Sequence, residues 1–189
     1  IREYIRNFIM STLETNLIQP STGTTLTVGA SGDTVTAPSG VTVAGAISNT
    51  PMFYAYNGIG QSVSSATWTT IANSNVVKNL GSNYNNSTYA FTAPNDGSYH
   101  FDMAMNNGGN STSGGYIYIR FLVNGSTPYY LAGMRVSSSV IQLDSQLSGS
   151  LDLDLNANDT VVAQGYVESS SPGFTDQRAY FCGHKLIGA

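Results

Sequence analysis

Residues 87–101, STYAFTAPNDGSYHF, constrain the fold of this chain more than any other stretch. Tyr89, Phe91 and Ala93 alternate with Thr88, Ala90 and Thr92, and beyond the turn Tyr99 and Phe101 resume the alternation. Successive side chains of a strand point to opposite sides, so a period of two gives each segment one apolar face to bury. Between the segments, Pro94 presets one turn dihedral, and Asn95-Asp96-Gly97 supplies residues that tolerate positive φ. The stretch reads as strand, turn, strand: a β-hairpin, or a crossing between two strands of an all-β domain.

The same texture continues on both sides. Pro51 to Tyr56 predicts a strand with Phe53 and Ala55 on one face and Met52, Tyr54 and Tyr56 on the other. Asn57 to Ser65 is a Gly/Ser loop, Ala66 to Ala72 a strand around Trp68, and Ser82 to Ser87 an Asn-rich loop. After a Gly/Asn/Ser loop over Asn106 to Gly115, Tyr116 to Val123 is aromatic and β-branched almost throughout, as for a central strand buried on both faces. Arg120 within it then needs an acidic or carbonyl partner. Tyr129 to Val136, Ile141 to Leu155, Thr160 to Glu168 and Arg178 to Ile187 complete about ten strands, with no long helix. That spacing predicts a β-sandwich of jelly-roll type over 49–189.

Four motifs in order carry a family resemblance. They are the aromatic-Thr-Ala-Pro…Asp-Gly…Tyr-x-Phe of the opening stretch, Phe121-Leu122-Val123-Asn124-Gly125, Leu151 to Val162, and Phe181-Cys182-Gly183-His184-Lys185-Leu186. Together they resemble the globular head of complement component one, subcomponent q, which shares a trimeric jelly roll with the tumour necrosis factors. The resemblance spans about Pro51 to Ile187 and implies a fold and a homotrimer, not a reaction. It also implies that Tyr99, Phe101, Tyr180 and Phe181 serve the core or the subunit interface, and that one of Tyr180 and Phe181 faces the partners. Tyr116 and Tyr118 are expected in the core or the interface as well.

Ahead of the head the pattern changes. Ile1, Tyr4, Ile5, Phe8 and Ile9 fall at helical spacing, predicting a short amphipathic helix over 1–10 that needs a docking surface. Met10-Ser11-Thr12-Leu13 also resembles a translation start, which would make the first nine residues an upstream extension. Residues 11–48 hold three thin alternating pieces, Thr25 to Val28, Thr34 to Thr36 and Val41 to Val43, separated by Gly/Ser/Pro turns. Each offers too few apolar side chains to cover itself, so the segment reads as a slender trimeric β-stem rather than a flexible linker. Such repeats resemble stems of structural proteins in tailed bacteriophages, particularly marine ones.

Composition excludes several functions. Charged residues are only 10% of the chain, against about a quarter in a usual soluble domain. The net charge is −4 and the 7 Lys and Arg are scattered, so no basic cluster is present to neutralise phosphates. Nucleic acid is not an expected partner. No run of about eighteen apolar residues marks a membrane span, and no apolar core of a signal peptide is visible at the start. The single cysteine, Cys182, cannot form an internal disulfide and is expected as a small buried hydrophobe.

Catalytic motifs are absent too. His100 and His184 each fall in a predicted strand without a motif partner, and there is no Gly-x-Ser-x-Gly elbow, HExxH, zinc spacing or phosphate loop. No enzyme and no cofactor are expected. The one metal candidate is a calcium site on Asp152-x-Asp154, whose carboxylates share a strand face, with Asp144 and Asp159 near in sequence. A solvated strand face is the simpler reading. Twelve tyrosines among Asn and Ser suit binding by stacking and hydrogen bonding, as at carbohydrate sites. Tyr56, Tyr84, Asn107, Asn110 and Tyr129 are the ligand candidates near loops.

The expected function is a non-enzymatic homotrimeric virion fibre or spike, exposed on the virion and attaching to a host-surface glycan or protein. Tyr4, Ile5, Phe8 and Ile9 would then dock on a capsid or tail protein. The alternatives are a structural decoration protein anchored by that N-terminus, and a secreted adhesin or filament subunit.

Overall fold

A computed structural model of the chain describes residues 51–107, 115–136, 145–169, 171–174 and 178–186. The expected helix over 1–10 and stem over 11–48 lie outside the described residues, as do most of the Asn106 to Gly115 loop and the segment 137–144.

Thirteen strands follow one another: β1 Met52–Tyr56, β2 Gln61–Ser62, β3 Thr69–Thr70, β4 Asn75–Leu80, β5 Tyr84–Asn85, β6 Ala90–Thr92 and β7 Gly97–Asn107, then β8 Gly115–Val123, β9 Thr127–Val136, β10 Ser145–Leu155, β11 Thr160–Val167, β12 Gly173–Phe174 and β13 Tyr180–Lys185. Sheet A has seven strands in the order β2-β12-β7-β13-β1-β4, with β10 paired along β7. Sheet B has six in the order β5-β6-β11-β8-β9, with β3 paired to β11. Every pairing is antiparallel. No helix occurs among the described residues.

The core between the sheets is aromatic. Phe53, Phe91, Tyr99, Phe101, Phe121 and Phe181 are fully buried, with Tyr84 beside them. Phe101 alone meets the rings of Phe53, Phe91, Tyr99, Phe121 and Phe181 at centroid distances of 6.4, 5.3, 6.3, 5.8 and 5.8 Å. These spacings lie within the range in which offset and edge-to-face ring pairs are favourable.

The turn after β6 resolves the choice between hairpin and crossing. β6 pairs with β5 and β11 in sheet B, whereas β7 pairs with β10, β12 and β13 in sheet A. Residues 93–96 therefore carry the chain from one sheet to the other. Tyr99 donates its hydroxyl to the Asn95 carbonyl at 2.6 Å, Lys185 Nζ donates to the Asp96 carbonyl at 2.9 Å, and Asp96 Oδ1 accepts from Ala157 N at 2.8 Å. The motifs Phe121–Gly125 and Asn158–Val162 meet at the same end. Asn124, in the left-handed region at φ 51°, accepts from Thr160 N at 2.8 Å and donates to Asp159 Oδ1 at 2.8 Å. The Asp159 carboxyl is held below the usual carboxylate range by this bond and by the Asn156 amides. Motifs far apart in sequence thus meet to tie one corner of the sandwich.

Several elements differ from expectation. Tyr89 leaves the alternation, standing half-buried at φ 59° just before β6. Only Thr69–Thr70 of the expected strand Ala66 to Ala72 is strand, and Ala66 turns at φ 55°. Strand β4 carries no alternating signature because it runs along an edge with nearly every side chain exposed; its pairing with β1 makes it a strand. Strand β8 buries one face only: Ile117, Ile119, Phe121 and Val123 point inward, while Tyr116, Tyr118, Arg120 and Leu122 form part of an outer surface. Tyr116 and Tyr118 are therefore not core residues of the sandwich.

Candidate functional site

The outward face of sheet A is built by alternation. Because Tyr99, Phe101 and Met103 turn inward, Ser98, His100 and Asp102 must turn outward on β7. Strand register sets their neighbours: His100 lies between His184 on β13 and Asp152 on β10, and Asp102 lies between Cys182 and Ser150. Met52 and Tyr54 on β1 extend these two rows across the sheet.

In the first row, His100 Nδ1 lies 2.6 Å from Asp152 Oδ1, and the His100 and His184 rings are 5.4 Å apart. Burial, and after it the neighbouring His100, push the His184 pKa down, with Asp152 opposing. Tyr180, one row beyond and opposite Ala104, reaches back to the second row: it donates to Asp102 Oδ1 at 3.2 Å and stacks on Tyr54 at 5.8 Å. Burial and the Asp102 charge push the Tyr180 hydroxyl up to about 12 and the Cys182 thiol up to about 11. Cys182 is therefore a thiol at neutral pH rather than a nucleophile. Among the described residues, the bonded partner of the His100 imidazole is the Asp152 carboxylate.

The His184 shift has a direction that can be tested. A histidine whose folded pKa lies below its unfolded value of about 6.5 contributes stability fully present above that pH and lost as pH falls through the folded pKa. Urea midpoints are expected to fall between pH 7 and pH 5, and His184→Gln is expected to flatten that dependence. An equally steep dependence in the variant would remove His184 as its source.

The expected site residues are dispersed. Tyr99, Phe101 and Phe181 are fully buried inside one sandwich, so none is free to meet a neighbouring subunit, while Tyr180 faces outward. Tyr84 is a core residue rather than a ligand residue: it donates its hydroxyl to the Asn73 carbonyl at 2.8 Å and stacks on Phe53. Asn107 is buried at the end of β7, where it pairs with Ser145 and Phe174. Tyr56 is half-buried at the end of β1 in sheet A, and Tyr129 is exposed on β9 in sheet B, so the two share no site. Tyr4, Ile5, Phe8, Ile9 and Asn110 lie outside the described residues.

Asp152 and Asp154 do share the outward face, but their carboxylates are engaged separately, one by His100 and the other by the Ser98 hydroxyl. Asp159 belongs to the Asn124 corner, and no group of three or more acidic, His or Cys side chains among the described residues is arranged for a metal. Two features escaped the sequence reading: the cross-strand row His184–His100–Asp152, and an aromatic cluster on the outer face of sheet B around Trp68. The first depends on register between residues 52 and 84 positions apart in sequence (His100 with Asp152 and His100 with His184), which no local pattern encodes.

The sequence pattern of a known family fits residues 53–186, a stretch that takes in both sheets, the crossing at residues 93–96 and the Asn124 corner. This chain belongs to the C1q domain family. Among solved structures, this C1q domain is similar to the globular domain of zebrafish complement 1qA protein, with a TM-score of 0.50 and 15% identity over 72% of this chain and 97% of that one. It is also similar to Eiger TNF from S. frugiperda (TM-score 0.48, 13% identity, 73% of this chain and 93% of that one). Murine APRIL at pH 5.0 matches with a TM-score of 0.49 and 10% identity over 71% of this chain and 98% of that one. No curated protein sequence matches the chain. At these identities the likeness concerns the fold.

Proposed function

We propose that this C1q domain is the non-enzymatic head of a homotrimeric virion fibre or spike, assembled through the outward face of sheet A and displayed for attachment to a bacterial host surface. The observation that carries the assembly is the chemistry of that face. Met52, Tyr54 and Cys182 line a shallow, mostly apolar depression of about 230 Å³, and Tyr180 stacks alongside Tyr54. Such a strip gains by leaving water against a second copy. Members of the C1q and tumour necrosis factor families form homotrimers, which supports the same stoichiometry here. The Thr/Val/Gly repeats of 11–48 support a stem, and Tyr4, Ile5, Phe8 and Ile9 supply its docking end on a capsid or tail protein.

Light scattering of the full chain tests the assembly. The expected mass is three times the 20.0 kDa chain, and Tyr180→Asp is expected to lower it by placing a second carboxylate beside Asp102. A monomeric parent chain would overturn the assembly. Saturable binding of the labelled full chain to marine bacterial cells tests attachment. Association with virions through residues 1–18 without any cell binding would instead make the protein a structural decoration.

A further inference from the structure

The outer face of sheet B carries an arrangement of rings and cations that the core between the sheets does not use. Trp68, displaced from the sheet by the turn at Ala66, lies over it with Tyr118 at 6.4 Å, Tyr130 at 5.6 Å and Tyr166 at 5.4 Å. Tyr116 continues the surface, stacked nearly parallel to Tyr118 at 5.7 Å and 10°. Gly133 makes this flat layer possible: a Cβ there would stand 2.3 Å from Tyr118 Cδ1, so the ring can lie across β9 only because that position has no side chain.

Two cations bracket the rings. Arg120 holds its guanidinium 4.1 Å from the Trp68 centroid, steadied by Nε donating to Gln164 Oε1 at 2.9 Å. Arg135 lies 5.5 Å from the Tyr116 centroid. Neither has a carboxylate partner among the described residues. The nearest acid in register is Glu168, which follows β11 beside Tyr116. Arg135 is opposite Tyr116, and Arg120 lies four positions further along β8, so the backbone positions that carry the two cations stand about 13 Å apart along the strands. Tyr116 and Tyr130 are 36% and 66% exposed, leaving ring surface open between the two charges.

We propose that this face is a stacking platform for an acidic saccharide, with Trp68, Tyr116, Tyr118 and Tyr130 receiving sugar faces and Arg120 and Arg135 receiving carboxylates. Aromatic rings receive the apolar face of a pyranose, and fixed guanidinium groups pair with planar carboxylates in two-pronged hydrogen bonds. Unpaired cations set among rings complement a negatively charged polymer better than a neutral one. The platform deepens the attachment reading above and relies on it only for leaving sheet B outside the trimer.

Trp68 is the sole tryptophan of the chain, so its fluorescence reports this face alone. Titration of the full chain with oligogalacturonate, oligomannuronate and sialyllactose is expected to give a saturable change with at least one of them, weakening as salt rises. The methyl ester of the binding saccharide should bind about tenfold less tightly or worse. Tyr130→Ala and Arg135→Gln should each weaken binding by about tenfold while leaving the urea midpoint in place, because both side chains are exposed. No saturable change with any of the three, equal binding by the ester, or unaltered binding by the Tyr130→Ala/Arg135→Gln double variant would overturn the platform. Cell attachment that persists in the double variant would overturn it while leaving the attachment reading intact. Saccharide binding without cell attachment would do the reverse.

Discussion

Phe101→Ala is expected to lower the stability of the head by about 3–5 kcal/mol. The ring is fully buried and touches five other aromatic rings, drawn from β1, β6, its own β7, β8 and β13. Those neighbours belong to both sheets, and each is held by a strand ladder that cannot slide inward to fill a vacancy. The cavity should therefore persist, adding its own term to the lost transfer free energy. For a domain whose whole stability is about 5–15 kcal/mol, this is a large fraction. The measurement is urea unfolding of parent and variant, with the midpoint expected to fall and the slope to stay unchanged. Phe101→Leu keeps most of the volume and is expected to lose less than about half as much. A loss under about 1 kcal/mol for the alanine variant would mean that the site collapses, and the two sheets are less firmly spaced than the ladders imply.

Gly183→Ala is expected to destabilise by about 1–3 kcal/mol, although it adds a single methyl group. Gly183 faces Phe101 across the β13–β7 ladder, and a Cβ there would stand 2.5 Å from Phe101 Cδ1 and 2.8 Å from the His100 carbonyl oxygen. The ring is locked by its own neighbours and the carbonyl is backbone, so neither yields without disturbing β7. Combining Gly183→Ala with Phe101→Leu, in which the flat ring is gone, should recover part of the loss, a coupling that unfolding midpoints of the two single variants and the double would reveal. Strict additivity would show that the ring is not what excludes the methyl group. The two predictions concern one feature, since the absent side chain at 183 makes room for the ring at 101.

Much of the architecture was legible in the chain itself. Alternation put Phe91, Tyr99 and Phe101 on buried faces and grouped Phe53 with Ala55 on one face of their strand, and the structure turns all five inward, as period two requires of a half-buried strand. The ordered motifs pointed to a C1q-type head, and residues 53–186 belong to that family. The motifs could be read because turn chemistry is local: an Asn in the left-handed region and an Asp-Thr turn build this corner.

Other features left no local trace. Strand β4 owes its existence to pairing with β1, not to amphipathic pattern. Tyr84 has the surroundings of a loop residue in sequence, but β5 and β6 turn it into the core. Tyr116, Tyr118 and Arg120 share a strand with Ile117, Ile119 and Phe121, and composition alone cannot distinguish a strand buried on both faces from one with an aromatic outer surface. The sequence by itself determined which residues alternate, where the chain must turn and which family motifs stand in what order, because each depends on neighbours a few residues apart. Only the tertiary structure decided that residues 93–96 cross between sheets, that His184, His100 and Asp152 form one row, and that Trp68 lies over Tyr118, Tyr130 and Arg120. Those are matters of register and sheet packing, set by contacts between segments that sequence separates and only the closed sandwich brings together.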